Sequence, residues 1–404
     1  MRLILLLLCL LAIASPVSSA GKLRVAVLLE ARQAPAYAML AREFSSETGI
    51  PTELVSRTDA DFKEELPRWL EGSANAPDVF YWQASQRLFA LVKQGKIEPI
   101  THLWRENNLD REFGHARSAV EYQGDQYGIP FSYYSWGIYY RKSLLKTYGG
   151  PPKNWEDFVQ ICTLMKQKGI TPIAIGTENA WPAAAWFDYL NLRINGLPFH
   201  QQLLAGEVSF LDERVRAVFT EWEKLVRSGF FTQNSAQYDW SEVLPLLYRN
   251  KSAFMLIGAF VSSKISEEIK ADFDFMSFPA LSQTQRYEEA PMDIFMMSAQ
   301  SSHKTMAEAF LKYISRPDVQ SRHNGLLGYL PPNRSSEVGE DLFIQKGFEM
   351  LRSAAGVAQY FDRDTLPEFE KPAVRILARF LETGDVDTAL QQLESVRVKV
   401  FGKS

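Results

Sequence analysis

Aromatic side chains recur at the predicted ends of strands and in the loops that follow them. The group consists of Tyr81, Trp82, Tyr134, Trp136, Trp181 and Phe260. Ligands of open α/β sheets bind outside the carboxyl ends of the strands, and a flat aromatic face covers the apolar C–H face of a sugar-like ring. Nearby acids and amides, such as Asp188 and Asn191, suit the hydroxyl groups at its edge. Any one of these aromatic residues is equally typical of a core, but their recurrence favours a site for a polar, uncharged, ring-shaped ligand.

Sequence patterns typical of catalysis or metal binding do not occur. The five histidines are widely spaced and have no cysteine beside them, so zinc-ligand spacing is absent. The motifs G-x-S-x-G, G-x-x-x-x-G-K-[ST] and G-x-G-x-x-G are missing as well. Adjacent acids such as Glu288-Glu289 are interpreted as solvated surface, because neighbouring residues of a helix point about 100° apart. The sequence predicts no enzyme, cofactor or metal site, and leaves open a secreted carbohydrate-active enzyme with two facing carboxylates.

The elements that would position these residues alternate between strand and helix. The run "GKLRVAVLLE" is typical of a buried strand, Tyr37 and Phe44 then follow at helical spacing to a stop at Gly49, and "IPTELVS" is again a strand. The segment "NWEDFVQICTLMKQKG" predicts a helix capped by Asn154. Repeated strand–helix–strand units indicate an α/β fold with parallel pairing.

The amino terminus "MRLILLLLCLLAIASPVSSA" has the features of a secretion signal. Arg2 is followed by an apolar run too short to span a bilayer, and small residues precede a predicted cleavage after Ala20. The alternative is a retained anchor helix. Cleavage would leave Cys162 alone, so no internal disulfide is expected, and its helical neighbours predict a buried thiol. The formal net charge of −4 and the lack of a basic tract argue against nucleic acid or an anionic membrane surface.

Six segments in order resemble a known family. They are "LRVAVLLEARQAPAYAMLAREFSSETGIPTELV", "APDVFYWQASQRLFALVKQGKIEPI", "GIPFSYYSWGIYYRKSLLKTYGGPPKNWEDF", "YRNKSAFMLIGAFVSSKI", "APMDIFMMSAQSSHKTMAEAFLKYIS" and "GYLPPNRS". Together they resemble the extracellular (periplasmic) solute-binding proteins of ABC sugar importers, the group that includes maltose-binding protein. Phe260 stands where that family commonly has Trp, and Met292-Asp293 where many members have Gly-Gly.

The resemblance implies an α/β fold of two lobes, the type II periplasmic-binding-protein fold, with a ligand cleft between discontinuous domains. The implied division is residues 1–20 for the signal peptide, 21–131 plus 278–326 for the N-terminal lobe, and 132–277 plus 327–404 for the C-terminal lobe. Three crossovers are expected near 129–133, 273–279 and 325–330. Within the first, Ile129 to Phe131 would cross, Tyr133 to Trp136 would face the cleft, and Ile138 would lie in a strand of the second lobe.

The resemblance also implies a role. A sugar or polyol would bind in the cleft, closure of the lobes would follow, and a monomeric, periplasmic protein would deliver the ligand to a membrane permease. The implied ligand-binding residues are Glu30, Tyr81, Trp82, Tyr134, Trp136, Trp181, Asp188, Phe260 and Asp293. Trp82 and Trp181 would stack on the ligand, and the acids would accept hydroxyl hydrogen bonds.

Several alternatives remain open on the sequence. The same fold would serve a sensor that reports its ligand to a membrane receptor or kinase. The departure at Asp293, together with Glu30, is also compatible with a cationic ligand, such as a polyamine or an amino acid.

Overall fold

The computed structural model describes residues 21–28, 33–282 and 284–402. The predicted signal peptide and Glu30 lie outside these described residues. Within them, no helix combines the length and the apolar character that crossing a membrane would require.

Strands and helices alternate through the first two thirds of the chain, and the last third is mainly helical. The strands are β1 (Leu23–Leu28), β2 (Thr52–Arg57), β3 (Val79–Gln83), β4 (Glu121–Tyr122), β5 (Asp125–Gln126), β6 (Ile129–Tyr133), β7 (Trp136–Arg141), β8 (Thr171–Ile173), β9 (Ser252–Gly258), β10 (Phe273–Met276), β11 (Tyr287–Glu289), β12 (Met292–Met297) and β13 (Gly356–Ala358). The helices are α1 (Ala34–Thr48), α2 (Asp59–Leu70), α3 (Gln86–Val92), α4 (Thr101–Glu106), α5 (Leu109–Phe113), α6 (Lys142–Lys146), α7 (Trp155–Gln167), α8 (Pro182–Ile194), α9 (Leu197–Leu204), α10 (Glu213–Arg227), α11 (Leu244–Tyr248), α12 (Glu267–Lys270), α13 (Lys304–Ile314), α14 (Pro317–Leu327), α15 (Leu342–Arg352), α16 (Pro367–Thr383) and α17 (Val386–Phe401).

The first large sheet has the strand order β2-β1-β3-β12-β6. Strands β2 and β3 run parallel to β1, whereas β12 runs antiparallel to β3 and β6. The predicted opening unit is confirmed: α1 joins the parallel pair and ends at Gly49, whose φ of 74° is the left-handed conformation that glycine adopts readily.

The second large sheet has the order β10-β7-β9-β8. Its central strand β7 pairs antiparallel with β9 and β10, and Ile138 in its middle has no exposed surface. Helix α7 is capped by Asn154, whose side chain accepts the N–H of Asp157 at 2.8 Å, as the sequence predicted. Cys162 on that helix is buried and forms no disulfide. The mixed helix and sheet content agrees with the predicted α/β class.

The chain crosses between the two sheets immediately after β6. The expected crossover at 129–133 is itself a strand of the first sheet, and only Tyr134 and Ser135 separate it from β7 in the second. An extended linker and a buried strand have the same local sequence pattern, which explains the difference. Residues 277–291 lead back to β12, and residues 328–341 lead from α14 to α15. The exact lobe boundaries stay a prediction.

Replacement of Ile138 by alanine tests the second sheet. Because the side chain is fully buried in the central strand, we expect the free energy of unfolding in urea to fall by roughly 2–5 kcal/mol. Leu211→Ala is the control, since that side chain is 49% exposed and its loss should change stability by no more than about 0.5 kcal/mol. Equal losses in the two variants would contradict the buried position of Ile138.

Candidate ligand-binding site

Seven aromatic residues meet where strand β7 of the second sheet begins and strand β9 ends, and we call them the aromatic cluster. They are Tyr134, Trp136, Trp181, Trp240, Phe260, Tyr329 and Tyr360. The Trp136 ring stacks on Tyr360 with centroids 4.6 Å apart and meets Trp181 edge-on at 6.0 Å. Phe260 is 38% exposed, so the cluster presents an aromatic surface to solvent.

Neighbouring strands β7 and β9 bring this cluster together. Trp136 opens β7 opposite Gly258, which closes β9. A Cβ at Gly258 would lie 2.5 Å from the Phe260 ring and 3.2 Å from the Trp136 ring. Glycine at this position therefore lets Phe260 lie close to the end of the strand, where its ring also contacts Trp240 at 5.3 Å between centroids.

Four polar residues form a second group, the polar cluster, on strands β3, β6 and β12 of the first sheet and on the segment after β13. They are Tyr81, Ser132, Asp293 and Arg363. The Tyr81 hydroxyl lies 2.8 Å from the Ser132 hydroxyl and donates to Asp293 Oδ2 at 3.1 Å. Asp293 Oδ1 accepts from Arg363 Nη1 at 2.9 Å. The Asp293 carboxylate thus accepts hydrogen bonds from both the Tyr81 phenol and the Arg363 guanidinium.

The charges of the polar cluster compensate each other. Burial lowers the pKa of Arg363, but the Asp293 carboxylate and nearby groups outweigh this effect, and the pKa is raised above its ordinary value. The Arg363 side chain is 18% exposed, as is Asp293. The negative charge that the sequence linked to a cationic ligand is therefore already balanced by an arginine.

Tyr134 joins the two clusters. Its ring lies nearly parallel to Tyr329 at 6.5 Å, and the Tyr329 hydroxyl accepts from the side-chain amide of Gln33 at 3.2 Å. Burial raises the pKa of the Tyr134 phenol, and the nearby Arg363 guanidinium lowers it in part. The aromatic and polar clusters therefore approach each other at Tyr134 and Arg363.

The structure brings six of the nine predicted residues into these clusters. They are Tyr81, Tyr134, Trp136, Trp181, Phe260 and Asp293. Trp82 lies on the opposite face of the first sheet from Tyr81, where it stacks on Phe62 and donates to the carbonyl of Arg87. The stacking role of Trp82 stays a prediction, as does the hydrogen-bonding role of Glu30, which lies outside the described residues.

Asp188 has a different environment from the cleft position that the sequence predicted. It has no exposed surface, and its Oδ2 accepts the backbone N–H of Phe361 at 2.9 Å. Burial raises the pKa of its carboxyl well above the usual range, and the charge of Asp364 raises it further. Asp188 thus holds the chain segment that carries Tyr360.

Five cluster residues were missed on the sequence. They are Ser132, Trp240, Tyr329, Tyr360 and Arg363. Tyr329 lies in the quoted run "GYLPPNRS", and Tyr360 and Arg363 lie in "QYFDRD" after a three-residue strand. Ser132 and Tyr329 belong to segments already singled out, whereas Trp240, Tyr360 and Arg363 do not.

The interpretation of Glu288-Glu289 as solvated surface is wrong. Both side chains are fully buried on strand β11, where Glu288 binds Arg193 at 3.0 Å and Arg286 at 2.9 Å. The solvated-surface interpretation assumed a helix, whereas β11 pairs with the distant strand β13.

No group of three His, Cys, Asp or Glu residues that could hold a metal ion occurs in the described part of the chain.

Comparison with known proteins identifies relatives over most of the chain. The family model for bacterial extracellular solute-binding protein matches residues 28–321. An uncharacterized ABC transporter extracellular-binding protein of Pyrococcus horikoshii is 24% identical over 277 residues, which cover 67% of this chain and 62% of the relative. A probable sugar-binding periplasmic protein of Rhizobium meliloti is 25% identical over 58% of this chain and 57% of its own length. These matches thus span less than two thirds of either relative.

A solved structure supports the fold over nearly the whole chain. The bacterial solute receptor AcbH, described with an exclusive substrate preference for β-D-galactopyranose, superposes with a TM-score of 0.88 at 24% identity. The superposition covers 94% of this chain and 98% of that receptor. At this identity the likeness establishes the two-lobe periplasmic-binding fold.

A double-mutant cycle tests the ion pair of the polar cluster. We expect Asp293→Asn and Arg363→Gln to be coupled by on the order of 1 kcal/mol in the free energy of unfolding, because each single change leaves a half-buried charged group without its partner. The exposed pair Arg216–Asp387, 2.8 Å apart with side chains 39% and 72% exposed, is the matched control and should couple by less than about 0.5 kcal/mol. Additive effects at residues 293 and 363 would argue against the pair.

Proposed function

The chain belongs to the bacterial extracellular solute-binding protein family, and from that membership we propose that it captures a sugar or polyol between its two lobes. On this proposal it is the periplasmic substrate-binding component of an ABC importer and acts as a monomer with a membrane permease. The names of its relatives, which include sugar-binding periplasmic proteins, support the assignment.

One observation carries the choice of ligand class: an exposed aromatic surface faces a polar group whose charges are balanced. Phe260 and Trp181 offer ring faces and edges to an apolar C–H surface. Asp293 and Arg363 offer an acceptor and a donor for neighbouring hydroxyl groups. A polyamine would have to compete with Arg363 for the carboxylate, so the balanced pair favours an uncharged ligand.

The proposed mechanism requires only that the ligand bind one arrangement of the lobes more tightly than the other. No covalent bond is made or broken. A ligand that touches both clusters favours the arrangement in which the two lobes are closed, by as much as it binds that arrangement more tightly. Hinge closure around a ligand is a common way to use this difference. The closed form is then the state that the permease would recognise.

A thermal-shift panel tests the ligand class. We expect β-D-galactopyranose, maltotriose or raffinose to raise the melting temperature, since a ligand at 100 times its Kd stabilises by about 2.7 kcal/mol. The shift should persist at high salt, because stacking and neutral hydrogen bonds are screened little. Stabilisation by spermidine instead, lost at high salt, would contradict the sugar assignment.

Loss of Trp136 tests the site. For whichever sugar stabilises the protein, we expect Trp136→Leu to weaken binding in calorimetry by about tenfold or more, equivalent to ~1.4 kcal/mol. Trp222→Leu is the matched control, because Trp222 is also buried but packs on Phe219 of its own helix α10 and on Phe380 of α16. Both variants should lose stability, and only Trp136→Leu should lose affinity. Equal affinities would place the site elsewhere.

A further inference from the structure

Three carboxyl groups lie together in the interior beneath the aromatic cluster. They belong to Asp188 on α8, Glu289 on β11 and Asp364 after β13, and none has more than 1% of its surface exposed. The carboxyls of Asp188 and Glu289 lie close enough for each to raise or lower the pKa of the other, and α8 meets β11 here because the Tyr189 hydroxyl accepts the N–H of Glu289 at 3.3 Å.

The buried, unpartnered oxygens of these two neighbouring carboxyls point to a shared proton. Two ionised carboxylates are acceptors only, and among the described residues no N–H or O–H group donates to Asp188 Oδ1 or to either Glu289 oxygen. The nearest ring nitrogen, His200 Nε2, is 3.9 Å from Asp188 Oδ1, which is beyond hydrogen-bond distance. Burial lowers the pKa of His200 to about 3, so this side chain is neutral and provides no compensating charge.

The pair holds the segment 359–364, which supplies both clusters. Asp188 Oδ2 accepts the N–H of Phe361 at 2.9 Å. On one side of Phe361, the Tyr360 hydroxyl donates to the carbonyl of Trp181 at 2.5 Å, and the Tyr360 ring stacks on Trp136. Two residues further on, Arg363 binds Asp293. A shift of Phe361 would therefore move a ring of one cluster and the guanidinium of the other.

We propose that Asp188 and Glu289 share one proton and act as positioning residues, which fix Tyr360 and Arg363 for the ligand only while that proton is present. This inference rests on the proposed function for its effect on affinity. Its structural part, the shared proton, stands independently of any ligand.

The groups around the pair explain why ligand affinity should fall, and not rise, with increasing pH. The other titratable groups that face it are Tyr134, Tyr189, His200, Tyr360, Asp362 and Asp364. Arg193 and Arg286 bind Glu288. Burial raises the pKa of Glu289 well above its usual range, and the Asp188 charge raises it further. Loss of the proton places two negative charges in contact in the interior, so affinity should fall as the pH rises.

Replacement of Glu289 by glutamine supplies the hydrogen permanently, because the new amide can donate to Asp188 Oδ1. For the sugar that binds in the thermal-shift panel, we expect the wild-type Kd to rise by about tenfold or more between about pH 6 and pH 9. In Glu289→Gln the Kd should stay nearly constant over this range, whereas Glu289→Ala should bind weakly throughout. Glu207→Gln, at an exposed position, is the control and should follow the wild type.

Identical pH profiles of Kd for the wild type and Glu289→Gln would overturn the positioning role. Unchanged affinity in Glu289→Ala would overturn it as well, because removal of the carboxyl would then leave the segment in place.

A ligand-free measurement separates this inference from the proposed function. The folded chain keeps a proton on the pair that the unfolded chain releases near pH 4, so stability should fall as the pH rises towards the folded-state pKa. Asp364, whose pKa burial raises to about 7, adds to this slope mainly below about pH 7. His115 and His200, whose pKa values burial lowers to about 3, act in the opposite sense below about pH 6.5.

The difference between the wild type and Glu289→Gln from about pH 7 to about pH 9 therefore isolates the pair, because Cys162, whose pKa burial raises, contributes equally to both melting curves. We expect the wild-type melting temperature to fall over this range and that of Glu289→Gln to fall less, with intrinsic tryptophan fluorescence following the same difference. Coincident curves would overturn the shared proton. If the curves differ but no sugar binds, the pair is upheld and the proposed function fails.

Discussion

The site depends on a passage of two residues, Tyr134 and Ser135, between a strand of one sheet and a strand of the other. Both strands are buried on each side of the passage, so neither can slide without exposing apolar surface. The passage is also bound to later parts of the chain: Tyr133 and Leu330 exchange both backbone hydrogen bonds, and the Ser135 carbonyl accepts the N–H of Ala259 at 2.8 Å. These bonds set Tyr329 and Phe260 beside Tyr134, and so a backbone constraint builds the centre of the aromatic cluster.

Buried carboxyl groups are stabilised in two different ways in this interior. Glu288 and Asp293 each face an arginine, which offsets the large desolvation penalty of a buried carboxylate. Asp188 and Glu289 have each other instead, and a proton is the simplest cation that fits between them. The two solutions have different consequences, because an arginine keeps its charge over the whole accessible pH range and a shared proton does not. Only the second solution makes the local structure sensitive to pH.

Local signals in the sequence were sufficient for much of the fold and for part of the site. Helices α1 and α7 have their predicted glycine stop and asparagine cap, and four of the six predicted aromatic residues converge in one cluster. Tyr360 and Arg363 escaped notice because their roles depend on contacts with residues far away in the chain, which no period or motif encodes. The prediction put Asp188 in the cleft because it lies near Trp181 in the sequence. Helix α8 is instead buried on nearly all sides, and such a helix shows no apolar face from which a polar one could be told apart.

The segment after β13 links the two halves of the site more directly than either sheet does. Within four residues it gives a ring to the aromatic cluster and a cation to the polar cluster, while Gln359 just before it accepts the N–H of Met292 at 2.7 Å beside the return to the first sheet. The contacts of this segment tie the position of the Tyr360 ring to that of the Arg363 guanidinium. Because binding energy can favour closure only as far as the ligand distinguishes the two arrangements, the spacing of this ring and this guanidinium selects the size of the ligand, and closure has to draw on the cluster residues that belong to the first sheet.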